Sequence, residues 1–221
     1  MNKNAKLTIA IPKGRNLGPT IEVFRRVGID LSAAEGNGRE LIFKDEKSGV
    51  AGIIVRDTDI PVYVEHGAAD IGISGKDQLE EQERNLYEML DLGYGACRLV
   101  LVEPKELKEK DDPSRWTNIT VATKFTNLTT KFFQSRGIHV EVLKLYGSIE
   151  IAPIVGLAQR VVDLVSTGGT LKANGLVEVE TIMDVSARLV VNRASLKTKH
   201  REITELVQKI EASLKADPIK D

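Results

Sequence analysis

Cysteine and histidine are scarce in this sequence of 221 residues, which has one cysteine, Cys97, and three histidines, His66, His139 and His200. A single cysteine excludes an intrachain disulfide, and the three histidines have no spacing typical of a metal site. No stretch approaches the roughly 18 consecutive apolar residues of a membrane span. The first residues also lack the apolar segment of a signal peptide. We therefore expect a cytoplasmic protein with no membrane partner.

An excess of charge of one sign is also lacking. The sequence has 31 basic and 32 acidic residues, for a formal net charge of -1. Such a balance gives no global field that would attract nucleic acid or an anionic membrane surface. We therefore expect no nucleic-acid partner, and any site for an anion must be built locally.

Apolar strand-like runs alternate with helical ones along the chain, and this alternation predicts an α/β fold. One series begins with LTIAI at 7–11, and a second begins with CRLVLV at 97–102. We predict two lobes with a ligand cleft between them. The predicted lobe I comprises residues 1–92 and about 184–221, and the predicted lobe II comprises residues 93–183.

Two segments resemble each other within the sequence, at 61–77 and 153–170. In each we predict a short helix, an Asp at the entrance of a strand, an apolar strand and a glycine turn. The alternative is that these are two unrelated turns. In open α/β sheets, ligands bind at the carboxyl ends of the strands, where both turns would lie.

The segment VVDLVSTGGTL at 161–171 predicts a buried strand that leads into a phosphate-binding turn. Its apolar residues are typical of a parallel strand covered on both faces, and Asp163 places a carboxylate near its end. The turn Ser166, Thr167, Gly168, Gly169 and Thr170 offers hydroxyls and flexible backbone N–H groups to one anion. A helical turn at 171–173, ended by Asn174, would add a helix N-terminus. An ordinary strand-to-helix connection is the alternative.

Basic residues follow the predicted strands of lobe I. Lys13 and Arg15 come after the first strand, Arg39 precedes the second, and Arg56 closes GIIVR. Arg presents a fixed fork of donors that matches phosphate oxygens. Any one of these side chains could simply be solvated, but together they predict a site for a polyphosphate group.

These residues resemble the ATP phosphoribosyltransferase family. The resemblance rests on one signature and its flanking segments: Glu150, Gly156, Ala158, Val161, Asp163, Leu164, Thr167, Gly168, Thr170 and Leu171, with PKGR at 12–15, RELIF at 39–43, DIPVYVEHGAADIGISGKD at 59–77, KLYGSIEIAP at 144–153, NGL at 174–176 and DVSARLVVN at 184–192. It extends over nearly the whole chain.

The resemblance implies a two-lobed fold similar to that of type II periplasmic binding proteins. It also implies the first step of histidine biosynthesis, in which ATP and phosphoribosyl pyrophosphate give phosphoribosyl-ATP and pyrophosphate. By the resemblance, the turn Ser166–Thr170 holds the 5-phosphate, and Asp163 and Glu150 contact the ribose hydroxyls or a metal bound to them. Lys13, Arg15 and Arg39 serve the pyrophosphate, and we add Arg56 as a substrate-binding residue; Arg15 and Arg39 are the predicted catalytic residues.

The family further implies a Mg²⁺ ion, held mainly through the pyrophosphate. The length resembles that of short-form members, which implies a homodimer of catalytic chains and a regulatory subunit similar to histidyl-tRNA synthetase, in a hetero-octamer. We therefore expect that histidine inhibits the isolated chain poorly. Two other functions remain open at this point: a non-enzymatic module that binds a sugar phosphate or amino acid, and a phosphoribosyltransferase that uses a free nucleobase instead of ATP.

Overall fold

The structure is a computed structural model that describes residues 5–36, 40–108, 112 and 116–219. The chain divides into two compact units. Unit 1 comprises residues 1–96 and 186–221, and unit 2 comprises residues 97–185. Each unit contains its own β-sheet with helices packed on it.

The elements follow in chain order. The first half contains β1 (Leu7–Pro12), α1 (Leu17–Arg26), β2 (Ile42–Asp45), β3 (Val50–Val55), α2 (Ile60–Glu65), β4 (Ile71–Gly75), α3 (Lys76–Gln82), β5 (Leu86–Asp91), β6 (Cys97–Pro104) and α4 (Lys105–Lys108). The second half contains β7 (Asn118–Thr123), α5 (Thr126–Gln134), β8 (His139–Lys144), β9 (Arg160–Val165), α6 (Gly169–Ala173), β10 (Leu176–Val185), β11 (Ala187–Asn192), α7 (Arg193–Thr198) and α8 (His200–Ala216). Short 3₁₀ turns lie at Ser32–Glu35, Asp57–Asp59 and Ile149–Ile151.

The sheet of unit 1 has the strand order β2-β3-β1-β4-β11-β5. Strand β1 is parallel to both of its neighbours, and its register pairs Pro12 with Val55 of β3. Strands β2 and β11 run antiparallel to their neighbours β3 and β4. The carboxyl ends of β1, β3 and β4 therefore lie along one edge of this sheet.

The central strands of unit 1 are buried on both faces, which explains their nearly continuous apolar sequence. One face packs against α1 and α8, where Phe24 and Ile210 are fully buried. The other face packs against α2 through Ile60 and Val64. Helix α8 is amphipathic, and its apolar stripe faces this core.

The sheet of unit 2 has the strand order β10-β6-β9-β7-β8. Strand β7 is parallel to β8 and β9, whereas β6 is antiparallel to β9 and β10. One face packs around Val161 and Leu171, and the other around Val162, Phe133 and Trp116. The carboxyl ends of β7, β8 and β9 share one edge, which therefore has the same kind of geometry as the edge in unit 1.

The predicted correspondence between the segments at 61–77 and 153–170 is wrong in part. Residues 61–77 do form a helix, then Asp70 at the entrance of β4, but α3 begins directly after this strand, at Lys76, where a glycine turn was predicted. Residues 152–156, however, form turns instead of a helix, and Asp163 is the fourth of six residues in β9 instead of standing at its entrance. The apolar side chains of this segment, Ile154, Val155 and Leu157, are exposed and do not form the buried face of a helix.

No helix in the described part of the chain combines the length and the apolarity that crossing a membrane requires.

Candidate functional site

The turn after β9 is exposed and contains a glycine in the left-handed conformation. Ser166 and Thr167 are exposed, and Gly168 adopts φ +75°, a left-handed conformation that favours glycine. The helical turn predicted after it is confirmed as α6, which begins two residues earlier, at Gly169. Asn174 ends this helix and its side-chain amide donates to the Thr170 carbonyl at 2.9 Å. The first residues of α6 are exposed, so their N–H groups face solvent or a ligand.

Asp163 lies at the same edge, two residues before the end of β9. Its side chain is 29% exposed, and one carboxylate oxygen accepts from the Leu164 N–H at 2.8 Å. Burial raises the pKa of Asp163, whereas the Leu164 N–H and the Lys124 ammonium lower it, and the Glu150 charge raises it further. Burying a carboxylate costs free energy, and a carboxylate whose pKa is raised by burial is typical of functional sites.

Lys124 is the residue of this edge that the sequence analysis missed. It directly follows β7, whose register pairs Thr123 with Val162 of β9. The Thr123 hydroxyl donates to the Val162 carbonyl at 2.8 Å and accepts from the Phe125 N–H at 2.9 Å, so the end of β7 is fixed on both sides. Lys124 Nζ lies 4.0 Å from Asp163 Oδ1 as a result.

Glu150 is brought to this edge by the 3₁₀ turn Ile149–Ile151, which packs against β9. Ile149 and Ala152 are buried in the core and hold the turn in place. The Glu150 carboxylate is partly exposed and close enough to Asp163 to influence its pKa. The structure thus brings Glu150, Asp163 and the turn after β9 together within unit 2.

The cations of unit 1 lie at the corresponding edge of the other sheet. The Lys13 N–H donates to the Val55 carbonyl at 3.0 Å, and Arg56 follows Val55 directly. Lys13 and Arg56 therefore leave neighbouring parallel strands side by side, and both are exposed. Arg15 is also exposed and follows Gly14, which has φ +87°.

Asp57 is a second residue whose place the sequence analysis did not recognise. Its carboxylate accepts from the Gly75 N–H at 3.2 Å and from the Ser74 hydroxyl at 3.3 Å. These bonds join the end of β3 to the end of β4. Asp57 therefore fixes the edge of the sheet where Arg56 lies. The signal in the sequence was an acidic residue two positions after an apolar strand.

Arg39, the other predicted catalytic residue, lies outside the described residues. Among the residues that are described, no group of three or more His, Cys, Asp and Glu side chains could hold a metal ion. The cleft predicted from the sequence stays a prediction.

Comparison with known proteins gives one consistent result. Residues 56–212 match the family model described as ATP phosphoribosyltransferase (HisG). A protein named ATP phosphoribosyltransferase from Citrifermentans bemidjiense is 55% identical over 205 residues, which are 93% of this chain and 97% of that protein.

Two solved structures are similar in fold. One is the ATP phosphoribosyl transferase (HisG:HisZ) complex from Thermotoga maritima, with a TM-score of 0.81 and 32% identity, covering 96% of this chain and 100% of that chain. The other is Tv2483 bound to L-arginine, with a TM-score of 0.64 over 96% of this chain and 85% of that chain. Its identity of 14% supports the fold alone. These similarities confirm the predicted two-lobed α/β fold class.

Proposed function

The chain belongs to the ATP phosphoribosyltransferase family, and on this premise we propose which of its residues hold phosphoribosyl pyrophosphate. Enzymes of this family catalyse the first step of histidine biosynthesis. N1 of the adenine ring of ATP forms a bond to C1 of the ribose, and the bond from C1 to the pyrophosphate oxygen breaks. The electron pair of that bond leaves with pyrophosphate. The observation that carries our assignment is the exposed glycine turn beside the half-buried Asp163.

The turn Ser166–Thr170 binds the 5-phosphate. Ser166, Thr167 and Thr170 are exposed and supply three hydroxyl donors, and Gly168 and Gly169 let the backbone N–H groups approach the phosphate. The positive φ of Gly168 supports this assignment, because a turn of successive N–H groups forms an anion-binding concavity.

Asp163 and Glu150 accept hydrogen bonds from the ribose hydroxyls. An ionised carboxylate accepts through both oxygens and can therefore receive two hydroxyl donors at once. Lys124, 4.0 Å from Asp163, favours the ionised form and also adds positive charge beside the phosphate. The three side chains thus combine acceptors for the sugar with a cation for its phosphate.

Lys13, Arg15, Arg39 and Arg56 bind the pyrophosphate. Negative charge builds on the pyrophosphate as the bond to C1 breaks, so fixed cations stabilise the transition state more than the ground state. The adjacency of Lys13 and Arg56 at the ends of β1 and β3 supports this role. Adenine N1 already carries a free lone pair, so the reaction needs no Ser or Cys nucleophile.

A Mg²⁺ ion fits this assignment. Its principal ligands would be pyrophosphate oxygens, with Asp163 and Glu150 as the protein carboxylates beside the ribose, since the described residues offer no cluster of three ligands. When bound, the ion neutralises part of the charge on the leaving pyrophosphate. The protein's own contribution is to position the two substrates and to stabilise the departing charge.

The chain is a catalytic subunit that forms a homodimer and works with a regulatory subunit similar to histidyl-tRNA synthetase, in a hetero-octamer in the cytoplasm. The similarity to the HisG:HisZ complex over the whole of the matched chain supports such a partner. In this arrangement the regulatory subunit carries the response to histidine, so histidine inhibits the isolated chain poorly.

One assay tests this function. The purified chain is mixed with ATP, phosphoribosyl pyrophosphate, Mg²⁺ and a pyrophosphatase, and the ATP adduct is followed by absorbance and mass spectrometry, with and without histidine. We expect the adduct to form and histidine to change its rate little. Strong inhibition by histidine would contradict the division of roles between subunits. Adduct formation with free adenine but not with ATP would contradict the choice of acceptor.

A further inference from the structure

Tyr94 makes a buried hydrogen bond to the helix that follows the Lys13–Arg15 turn. Its side chain is fully buried, and its hydroxyl lies 2.7 Å from the Thr20 hydroxyl on α1. The Thr20 hydroxyl donates to the Asn16 carbonyl at 2.6 Å. Because threonine has a single O–H, the Tyr94 phenol must be the donor to Thr20. Burial, together with the nearby Asp57 charge, raises the pKa of Tyr94, so the phenol keeps this proton.

The next residue, Gly95, touches the side chain of the same asparagine. Gly95 has φ +68°, and a Cβ atom at this position would lie 2.7 Å from Asn16 Oδ1. Asn16 is therefore held through its carbonyl by way of Thr20 and Tyr94, and its side chain occupies the space that the missing Cβ of Gly95 leaves.

The segment that contains Tyr94 and Gly95 is itself fixed to the sheet of unit 1. The Leu92 N–H donates to the Ala187 carbonyl, and the Ala187 N–H donates to the Tyr94 carbonyl, each at 2.9 Å. Ala187 begins β11, a strand that is hydrogen-bonded on both sides. Residues 92–95 therefore form a rigid support next to the start of α1.

Asn16 stands directly after Arg15, at the point where the turn ends and α1 begins. The start of the same turn is fixed to β3 by the hydrogen bond from the Lys13 N–H to the Val55 carbonyl. The backbone between these two points is thus held at both ends, although the side chains of Lys13 and Arg15 are exposed.

We propose that Tyr94 and Gly95 are positioning residues, which hold Asn16 and thereby fix the Lys13–Arg15 turn in the shape that binds pyrophosphate. The inference rests on the proposed function, in which the cations of this turn bind pyrophosphate. Cations stabilise a departing charge most when they are already in place, because reorientation during the reaction is then avoided. Loosening Asn16 should therefore weaken the binding of pyrophosphate without disturbing groups elsewhere.

A pair of glycines provides a matched test. Gly93 and Gly95 have φ +74° and +68°, so alanine is strained at both, but a Cβ on Gly93 would meet nothing within 4 Å. The affinity of the full chain for magnesium pyrophosphate is measured by calorimetry for Gly93→Ala and Gly95→Ala. We expect Gly95→Ala to bind about tenfold more weakly than Gly93→Ala, the effect of losing roughly one charge-assisted hydrogen bond. Equal affinities of the two variants would overturn the inference.

A second set of variants tests the Tyr94 hydrogen bond in the same way. Tyr94→Phe and Thr20→Val should each weaken pyrophosphate binding several-fold, whereas Thr20→Ser, which keeps the hydroxyl, should restore it. Tyr87→Phe is the control, since Tyr87 packs against the same core. Affinity for ribose 5-phosphate should not change, because its proposed site is in unit 2. Parallel loss of both ligands would indicate a general loss of structure and overturn the positioning role.

The proposed function fails separately from this inference. If the wild-type chain did not bind magnesium pyrophosphate, or if Arg15→Ala bound it as tightly as the wild type, the assignment of the cations would be wrong. If Arg15→Ala binds weakly but the Gly95 and Tyr94 variants match their controls, only the positioning role is wrong.

Discussion

Lys124 Nζ lies 4.0 Å from Asp163 Oδ1, at the ends of two neighbouring parallel strands of unit 2. The charge of Glu150 shifts the pKa of this carboxylate in the direction opposite to that of Lys124. Burial raises the pKa of Asp163, the Lys124 charge lowers it and the Glu150 charge raises it further. The ionisation of the proposed sugar-binding carboxylate is therefore set by two neighbours that can be removed one at a time.

The first prediction concerns the acid limb of phosphoribosyl pyrophosphate binding, which is the fall of affinity at low pH. If ionised Asp163 binds the ribose, affinity falls as pH drops through its pKa. Lys124→Gln should move this limb to higher pH, because a charge that lowers the pKa is lost, whereas Glu150→Gln should move it to lower pH. Calorimetry across pH 4 to 8 would measure both, with Lys131→Gln on the exposed surface of α5 as control. Shifts in the same direction would contradict the assignment of Asp163.

The second prediction concerns stability. Since the pKa of Asp163 is raised in the folded protein, the folded state binds this proton more tightly than the unfolded state does. Its ionised form therefore destabilises the fold, and this cost appears as pH rises above the ordinary Asp value of 3.8 and is complete above the raised pKa. Asp163→Asn should be more stable than the wild type at pH 7 but not at pH 3, as measured by denaturant unfolding.

The same variant should lose function, since Asn offers one acceptor oxygen where the carboxylate offers two. We expect phosphoribosyl pyrophosphate affinity to fall about tenfold or more, the effect of weakening a charge-assisted hydrogen bond. If Asp163→Asn were more stable than the wild type and bound phosphoribosyl pyrophosphate as tightly, Asp163 would not be a ribose-binding residue.

The central strands and the glycine turn after β9 could be predicted from the sequence because their signals are local. VVDLV is apolar except for Asp163, and Gly168 has the left-handed conformation that favours glycine. Strands β5 and β10 were missed because both lie at sheet edges, where one side is open and polar residues are tolerated. The β5 sequence, LYEMLD, has no clear strand period, whereas LVEVETIMDV of β10 does alternate apolar and charged residues over Val177–Glu180.

Lys124 shows why part of the candidate site could not be predicted from the sequence. Nothing near it indicates a ligand, since it stands between a strand and a helix like many surface lysines. Its proximity to Asp163 depends on β7 and β9 being parallel neighbours, although they are separated by β8 in the chain. In the same way, the hydroxyl of Thr20 and the phenol of Tyr94 form a hydrogen bond although they are 74 residues apart in the chain. Pairings of this kind follow from sheet order, which local patterns do not encode.

The third prediction concerns the phosphate turn. Thr167→Val combined with Thr170→Val removes two hydroxyl donors from exposed positions. We expect affinity for phosphoribosyl pyrophosphate to fall at least tenfold, because hydrogen bonds to charged groups contribute about 1.5–3 kcal/mol each. The unfolding midpoint should change little. Thr117→Val is the control, since Thr117 is also exposed but precedes β7, at the opposite end of the strand from the site. Unchanged affinity in calorimetry would rule out the turn as the 5-phosphate site.

The fourth prediction concerns a buried ion pair in unit 2. Arg160 Nε donates to Glu103 Oε2 at 2.9 Å, and the two side chains are only 3% and 2% exposed. The Arg160 guanidinium also lies over the Trp116 ring, 4.1 Å from its centroid. Arg160→Met leaves the Glu103 carboxylate buried without this cation. We expect the free energy of unfolding to fall by about 3–5 kcal/mol, as is typical when one partner of a buried pair is removed.

An exposed pair gives the matched control. Lys215 Nζ lies 2.6 Å from Glu211 Oε1 on α8, but the two side chains are 74% and 44% exposed. Lys215→Met should cost less than about 0.5 kcal/mol, because solvent screens an exposed pair. Combining Arg160→Met with Glu103→Leu should recover most of the lost stability, since no charge then remains buried. If the double variant were as unstable as Arg160→Met alone, the loss would come from the packing of Arg160 on Trp116 and not from the buried Glu103 charge.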